Sequence, residues 1–201
     1  MDVAWLLALV HSPWLLPALF VLVVGDAFLV VLPSETVVAA LGALSAATGS
    51  PALLAVIPVA ALGAVIGDLA CFAIGRAVGL ERWGWQRRGR IGTAIERVRS
   101  TILSRTAVLV FTARYIPFAR IAVNLTAGAA GVTYRRFLPL SALAGSTWAC
   151  YNVALGALFG TVLPELPLVA AACSVVVALC LGLALDAVMR RRARGRSIPP
   201  A

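Results

Sequence analysis

The sequence predicts an all-α integral membrane protein built as an inverted repeat. Two re-entrant helical hairpins meet near the bilayer midplane, transmembrane helices flank them, and one amphipathic helix lies at the interface. Three observations carry this expectation. The 201-residue chain is 62% hydrophobic and only 12% charged, far above the apolar share of soluble domains. Its arginines gather in clusters at the ends of apolar segments and in one central loop. Two apolar segments hold a helix-breaking proline close to ionisable residues, a combination that a simple lipid-facing span does not tolerate.

Apolar segments run at 4–24, 27–49, 51–79, 106–133, 137–163 and 164–189, and crossing a hydrocarbon core about 30 Å thick takes roughly 20 residues. Mean hydropathy is +0.99. The first segment lacks the basic start of a secretory leader and is read as a retained helix, interrupted near Pro13 and Pro17. Between the third and fourth lies the loop Gly79 to Arg105. In it Ile91, Ile95, Val98 and Ile102 recur at helical spacing, with Arg90, Glu96, Arg97, Arg99 and Arg105 elsewhere on the wheel. Trp83 and Trp85 precede this stretch, as rings at headgroup level do. It reads as an interfacial helix. The whole chain, 1–201, is taken as a single membrane domain with a C-terminal span at 164–189 and a basic tail at 190–201.

Charge fixes the expected orientation. All 17 basic residues are arginine, against eight acidic ones. Eight lie between Arg76 and Arg105, five in the tail "RRRARGR", and Arg135 and Arg136 form a third cluster. Positive charge stays on the cytoplasmic side, so all three clusters, and the C-terminus, are expected there. Segment 106–133 then enters and leaves on the same face. Pro117 breaks it, which makes it a re-entrant hairpin shielded from lipid by protein. Pro33, within "PSE", gives the segment before 51–79 the same character from the opposite face. Gly63 and Gly67, like Gly156 and Gly160, are spaced four apart, which lets helix backbones approach.

Five ionisable side chains within or bordering the apolar segments stand out: Asp26, Glu35, Asp68, Arg114 and Arg120. Each costs at least ~2.5–3.5 kcal/mol at the bilayer centre, so they are expected to pair or to face a polar cavity. Arg114 can pair with Glu35, and Arg120 with Asp26 or Asp68. One consequence is an ion-pair lattice that only locks the hairpins together, although apolar packing does that at least as well. The other is a transport site, in which helix N-termini after Pro33 and Pro117 add partial positive charge suited to an anionic group. Asn124 and Asn152 are placed to hydrogen-bond between helices.

These residues resemble a known family. "DAFLVVLPSE", "GAVIGDLACFAIGRAVG", "FTARYIPFARIAVNLTAGAAG" and "WACYNVALGALFG" are similar, in order and spacing, to the bacterial DedA family, whose shared module is also called the VTT or SNARE-associated domain. The likeness covers about residues 20–165. The most specific element is Arg114, Pro117 and Arg120 with Asn124 and Gly128 downstream; the Pro-Ser-Glu at Pro33 to Glu35 comes next. The resemblance implies a flippase or scramblase of the bacterial inner membrane acting on undecaprenyl phosphate or a phospholipid such as phosphatidylethanolamine. It implies that Asp26 and Glu35 match paired acidic positions and Arg114 and Arg120 paired arginines needed for activity. Asp26 stands where Glu is usual, and Phe72 where a tyrosine is common.

The expected partners are a lipid headgroup, anionic or zwitterionic, and the membrane itself. Protons are a candidate second partner, and a homo-oligomer is compatible with the sequence. Nucleic acid is not expected, because no soluble basic module is present to hold it. No cofactor or metal site is expected: His11 is the single histidine, and Cys71, Cys150, Cys173 and Cys180 form no CxxC pair and read as buried thiols. Enzymatic activity is not expected either, since His11 suits neither a lipid phosphatase nor a serine–histidine protease. Two other readings stay open at this point, a proton-coupled transporter of a small ion or solute and a structural protein of envelope homeostasis.

Overall fold

A computed structural model of the chain describes residues 12–29, 34–79, 89–114 and 117–162. Pro33, His11, Trp83, Trp85, Cys173, Cys180 and the expected C-terminal span and tail lie outside the described residues. Within them the secondary structure is helical throughout: α1 (Leu15–Asp26), α2 (Ser34–Thr48), α3 (Leu53–Val78), α4 (Gly89–Ala113), α5 (Pro117–Ala129) and α6 (Tyr134–Val162).

The helix boundaries follow local chemistry. α1 begins after Pro13, and Pro17 falls in its first turn, where the missing N–H has no intrahelical partner to lose. The expected interruption at Pro17 is therefore a start. α2 opens with Ser34 and Glu35 directly after Pro33 and stops at Gly49, whose φ of 76° only glycine adopts cheaply. α5 opens on Pro117, whose fixed φ suits the first helical position. The amphipathic stretch and the following apolar one are two helical runs, together α4, divided by a kink at Arg105 (φ −121°, ψ 24°). That break falls at the expected end of the interfacial helix. Ile102 is buried and Ile95 half-buried, whereas Val98 stays exposed.

Helix length divides the elements into two kinds. α3 and α6, of 26 and 29 residues, are long and apolar enough to cross a membrane, at about 39 and 44 Å. α1, α2 and α5, of 12, 15 and 13 residues, reach only about 18–23 Å and fall short of a 30 Å core.

Packing is reciprocal. α2 lies along α6, α5 lies along α3, and α3 and α6 touch each other. Glycines make the first two contacts possible. A Cβ at Gly156 or Gly160 would run into the Ala39 or Ala43 backbone of α2, one at Gly42 into Val153 of α6, and one at Gly75 or Gly128 into the facing backbone of α5 or α3. Gly63 and Gly67 similarly admit α1, at Val23 and Ala27. The spaced glycines named from sequence therefore pack helices, as expected.

Two apolar cores result. One joins Leu19 and Val23 of α1, Val38 and Leu41 of α2, Val56 to Ala64 of α3, and Trp148 to Val153 of α6. The other joins Phe72 of α3, Ile102 and Val110 of α4, Ala127 of α5 and Phe137 of α6. In the second, Phe72 stacks on Phe137 at 4.3 Å and meets Tyr134 edge-on at 5.0 Å. Arg76 lies over that Tyr134 ring and donates to the Val132 carbonyl at 2.9 Å.

The outer surface is apolar. Leu54 is 90% exposed and Phe118 75%, with Val21, Leu62, Val108, Leu143 and Leu158 also exposed. The buried set instead includes Asp68, Thr106, Arg114, Asn124, Ser141 and Asn152. Water would not support this distribution, and a lipid solvent does. Cys71 is buried as expected, its thiol donating to the Ala27 carbonyl at 3.3 Å, but Cys150 is exposed and corrects that expectation. α6 turns its Cys150 edge away from the face that carries Trp148, Ala149 and Asn152.

Candidate functional site

Asp68 sits between the two cores. On α3 it falls one turn after Ala64 and one turn before Phe72, about 22 Å along a 39 Å helix. Its carboxylate is 2% exposed and accepts three hydrogen bonds from three other elements. Arg114 Nη1, just past the end of α4, donates to Oδ2 at 2.7 Å; Ser141 Oγ of α6 donates to the same oxygen at 2.8 Å; Asn124 Nδ2 of α5 donates to Oδ1 at 2.9 Å. A buried carboxylate is tolerable only when its lone pairs are filled in this way.

Arg114 is equally buried, at 4% exposure. One face of its guanidinium lies against the Trp148 ring, 5.2 Å from the centroid. Only its Nη1 end is engaged by a carboxylate. Among the described residues Nε and Nη2 have no hydrogen-bond partner. Those two nitrogens form one side of the planar guanidinium, the edge that takes two oxygens of a phosphate or carboxylate at once.

Arg120 has different duties. It lies one turn into α5, and its Nη2 donates both to the Asp26 carbonyl at 2.7 Å and to Asp26 Oδ2 at 2.9 Å. Asp26 is the last residue of α1, where unsatisfied carbonyls and the helix dipole favour a cation. The pair is partly accessible, at 11% and 13% exposure of the two side chains. It ties the C-terminal end of α1 to the N-terminal end of α5, the two points where the chain breaks off a short helix.

Glu35 occupies the first turn of α2 and is exposed. Trp148, Asp26, Arg120 and Arg114 all lie near enough to act on its carboxylate. All five ionisable groups named from sequence thus come together. The pairing differs from the expectation in one respect: Arg114 is held by Asp68, not Glu35, because α3 places the Asp68 carboxylate within hydrogen-bond distance of its Nη1. Arg120 pairs with Asp26, one of its two expected partners. Asn124 bridges helices as anticipated, but Asn152 donates to the Trp148 carbonyl within its own helix. Pro117 is the first residue of α5, and Pro33 lies outside the described residues.

Three contributors escaped the sequence reading. Ser141 and Ser34 are common residue types in apolar helices, and nothing in the string marks Ser141 as a donor to Asp68; Ser34 is fully buried with its Oγ unpartnered among the described residues. Trp148 carried a signal that was available. It lies mid-segment, away from the interface where tryptophans collect, so its N–H needs a partner inside the protein. No three His, Cys, Asp or Glu side chains among the described residues are arranged to hold a metal ion.

Comparison with known proteins places this architecture. A family model, the VTT domain, matches residues 32–158. An uncharacterized membrane protein of Mycobacterium tuberculosis is 33% identical over 153 residues, covering 69% of this chain and 68% of its own length, and one from Mycobacterium bovis matches to the same extent. A Lactococcus lactis protein named alkaline phosphatase-like is 29% identical over 150 residues, covering 68% of this chain and 70% of its own. No solved structure matches. The matched region contains Glu35, Asp68, Arg114, Arg120, Asn124 and Ser141, and the chain belongs to the VTT-domain family of membrane proteins, in agreement with its DedA-like sequence pattern.

Proposed function

We propose that this protein translocates a phosphate-bearing lipid across the bacterial cytoplasmic membrane, passing the headgroup between two re-entrant hairpins while the tail stays in the bilayer. One observation carries the reading. Arg114 is a buried cation whose Nε and Nη2 edge has no partner among the described residues, and an unfilled guanidinium edge at mid-membrane depth is costly unless an anion visits it. Asp26 and Glu35 stand beside it, with Arg120 held by Asp26 until a headgroup competes.

Several features support the hairpin architecture. α1, α2 and α5 are too short to cross, and the breaks after α1 and before α5 are joined by the Arg120–Asp26 pair. The packing of α2 on α6 mirrors that of α5 on α3, and each long helix carries a proline five residues after its start, Pro58 in α3 and Pro139 in α6. An inverted repeat explains all three. The arginine clusters support a cytoplasmic C-terminus. Neutralising a carboxylate of this cluster frees an arginine for the headgroup and links its capture to proton supply.

The name of the Lactococcus relatives raises phosphate-ester chemistry, for which the same open edge would bind the phosphate. Hydrolysis also requires an activated nucleophile or water beside it, and of the groups near Arg114 the Ser141 hydroxyl donates to Asp68, which is fully engaged, while Asp26 is tied to Arg120. Transport is the better use of the site.

The test is translocation in vesicles of labelled undecaprenyl phosphate, phosphatidylethanolamine and a phosphate-free diacylglycerol, each at two pH values. The proposal expects protein-dependent movement of a phosphate lipid, faster at the lower pH, and none beyond background for diacylglycerol. Equal acceleration of all three lipids would overturn it. Transport of free phosphate without any lipid movement would favour a small-solute transporter at the same site.

A further inference from the structure

We infer that Asn124 and Ser141 are positioning residues which keep the Asp68 carboxylate from closing the anion-binding edge of Arg114. The inference rests on the reading of Arg114 as the phosphate ligand and assigns the device that keeps it available.

A buried carboxylate and guanidinium left to themselves favour two parallel hydrogen bonds, fork to fork, since both charges are then best satisfied. Asp68 and Arg114 do not do this. Their contact is single, Nη1 to Oδ2 at 2.7 Å. Asn124 occupies Oδ1 at 2.9 Å, and Ser141 shares Oδ2 at 2.8 Å. Both carboxylate oxygens are thus filled from α5 and α6. The carboxylate cannot swing its second oxygen toward Nε or Nη2 without giving up a hydrogen bond in a site that is 2% exposed. Trp148, against the face of the guanidinium, blocks the alternative of rotating the arginine instead. The result is a buried cation neutralised at one end and unpaired along its edge. Removal of either donor frees an oxygen of Asp68 to become a second, internal ligand of Arg114 that competes with the phosphate.

This differs from a merely structural role in its signature. A structural hydrogen bond, once deleted, lowers stability and lowers binding only as the fold loosens. A gatekeeping one weakens binding while the internal ion pair tightens, so stability is largely retained.

The experiment titrates dihexanoylphosphatidic acid into the full chain in detergent by calorimetry, with thermal unfolding recorded for each variant. Asn124→Leu and Ser141→Ala are each expected to raise the half-saturation concentration about three- to tenfold, the size of one net hydrogen bond, with little change in melting temperature. Ser141→Thr, which keeps the hydroxyl, is expected to bind as the parent protein does. Unchanged binding in both deletion variants, or a loss that tracks falling stability and is not restored by Ser141→Thr, overturns the inference while leaving the phosphate site standing. If the parent protein binds no phosphatidic acid and Arg114→Gln makes no difference, the phosphate site and the inference fall together.

Discussion

Replacing Asp68 by alanine tests the energetic centre of the fold. The substitution strips Arg114 of its charge partner and leaves the Asn124 amide and Ser141 hydroxyl without their acceptor, all three side chains being 4% exposed or less. Breaking one side of a buried ion pair costs about 3–5 kcal/mol, because the surviving charge is left uncompensated. The two neutral donors add less, since polar hydrogen bonds inside membrane proteins average roughly 0.6 kcal/mol. Arg114→Met is predicted to be milder, because Asp68 then keeps two of its three donors, whereas Asp68→Ala leaves Arg114 with none from a carboxylate. The double variant Asp68→Ala with Arg114→Met removes both charges and is predicted to recover most of the loss. Reversible unfolding in mixed micelles of SDS and a mild detergent measures all four states and closes the cycle. The reasoning is refuted if Asp68→Ala costs less than about 1 kcal/mol, or if the double variant is no more stable than Asp68→Ala alone.

The other predictions are simpler. Gly128→Val forces a side chain into the Phe72 carbonyl of α3, and overpacking of this kind costs about 1–3 kcal/mol or more; Gly49→Ala, at φ 76° with open space around it, is predicted to cost only about 1 kcal/mol, and thermal melts of the two in detergent compare them. Lysine should substitute at Arg120, where one nitrogen makes both contacts to Asp26, but not at Arg114, which needs a planar edge; translocation rates in proteoliposomes are expected to stay near the parent value for Arg120→Lys and to fall about tenfold for Arg114→Lys, the loss of one charge-assisted hydrogen bond. Asp26→Asn removes the charge that holds Arg120 while sparing the carbonyl contact, and it is predicted to cost about 1 kcal/mol of stability, read by unfolding in detergent.

The broad architecture was legible because a membrane solvent imposes simple rules. Apolar length marked α3 and α6 to within a few residues, prolines marked the starts of α2 and α5, and arginine content marked the kink at Arg105. Ionisable residues in apolar segments are rare enough that all five named from sequence meet in one cluster. What stayed hidden was who pairs with whom. Asp68 and Glu35 are equally plausible partners for Arg114 in one dimension, and only the three-dimensional approach of Asp68 to Arg114 decides between them. Ser141 was invisible for the same reason, since its role depends on α6 meeting α3 at Asp68 and on no pattern of its own. Trp148 was legible in principle, by its depth in the segment, away from the interface where tryptophans collect.

Lipid transport as proposed depends on the unpaired edge of Arg114 receiving the phosphate. Its most direct measurement is the rate at which Arg114→Gln, reconstituted and shown by gel filtration and circular dichroism to be folded, moves a labelled phosphate lipid between leaflets. Loss of a charge-assisted contact predicts a fall of about tenfold or more against the parent protein. An unchanged rate in folded Arg114→Gln would contradict it.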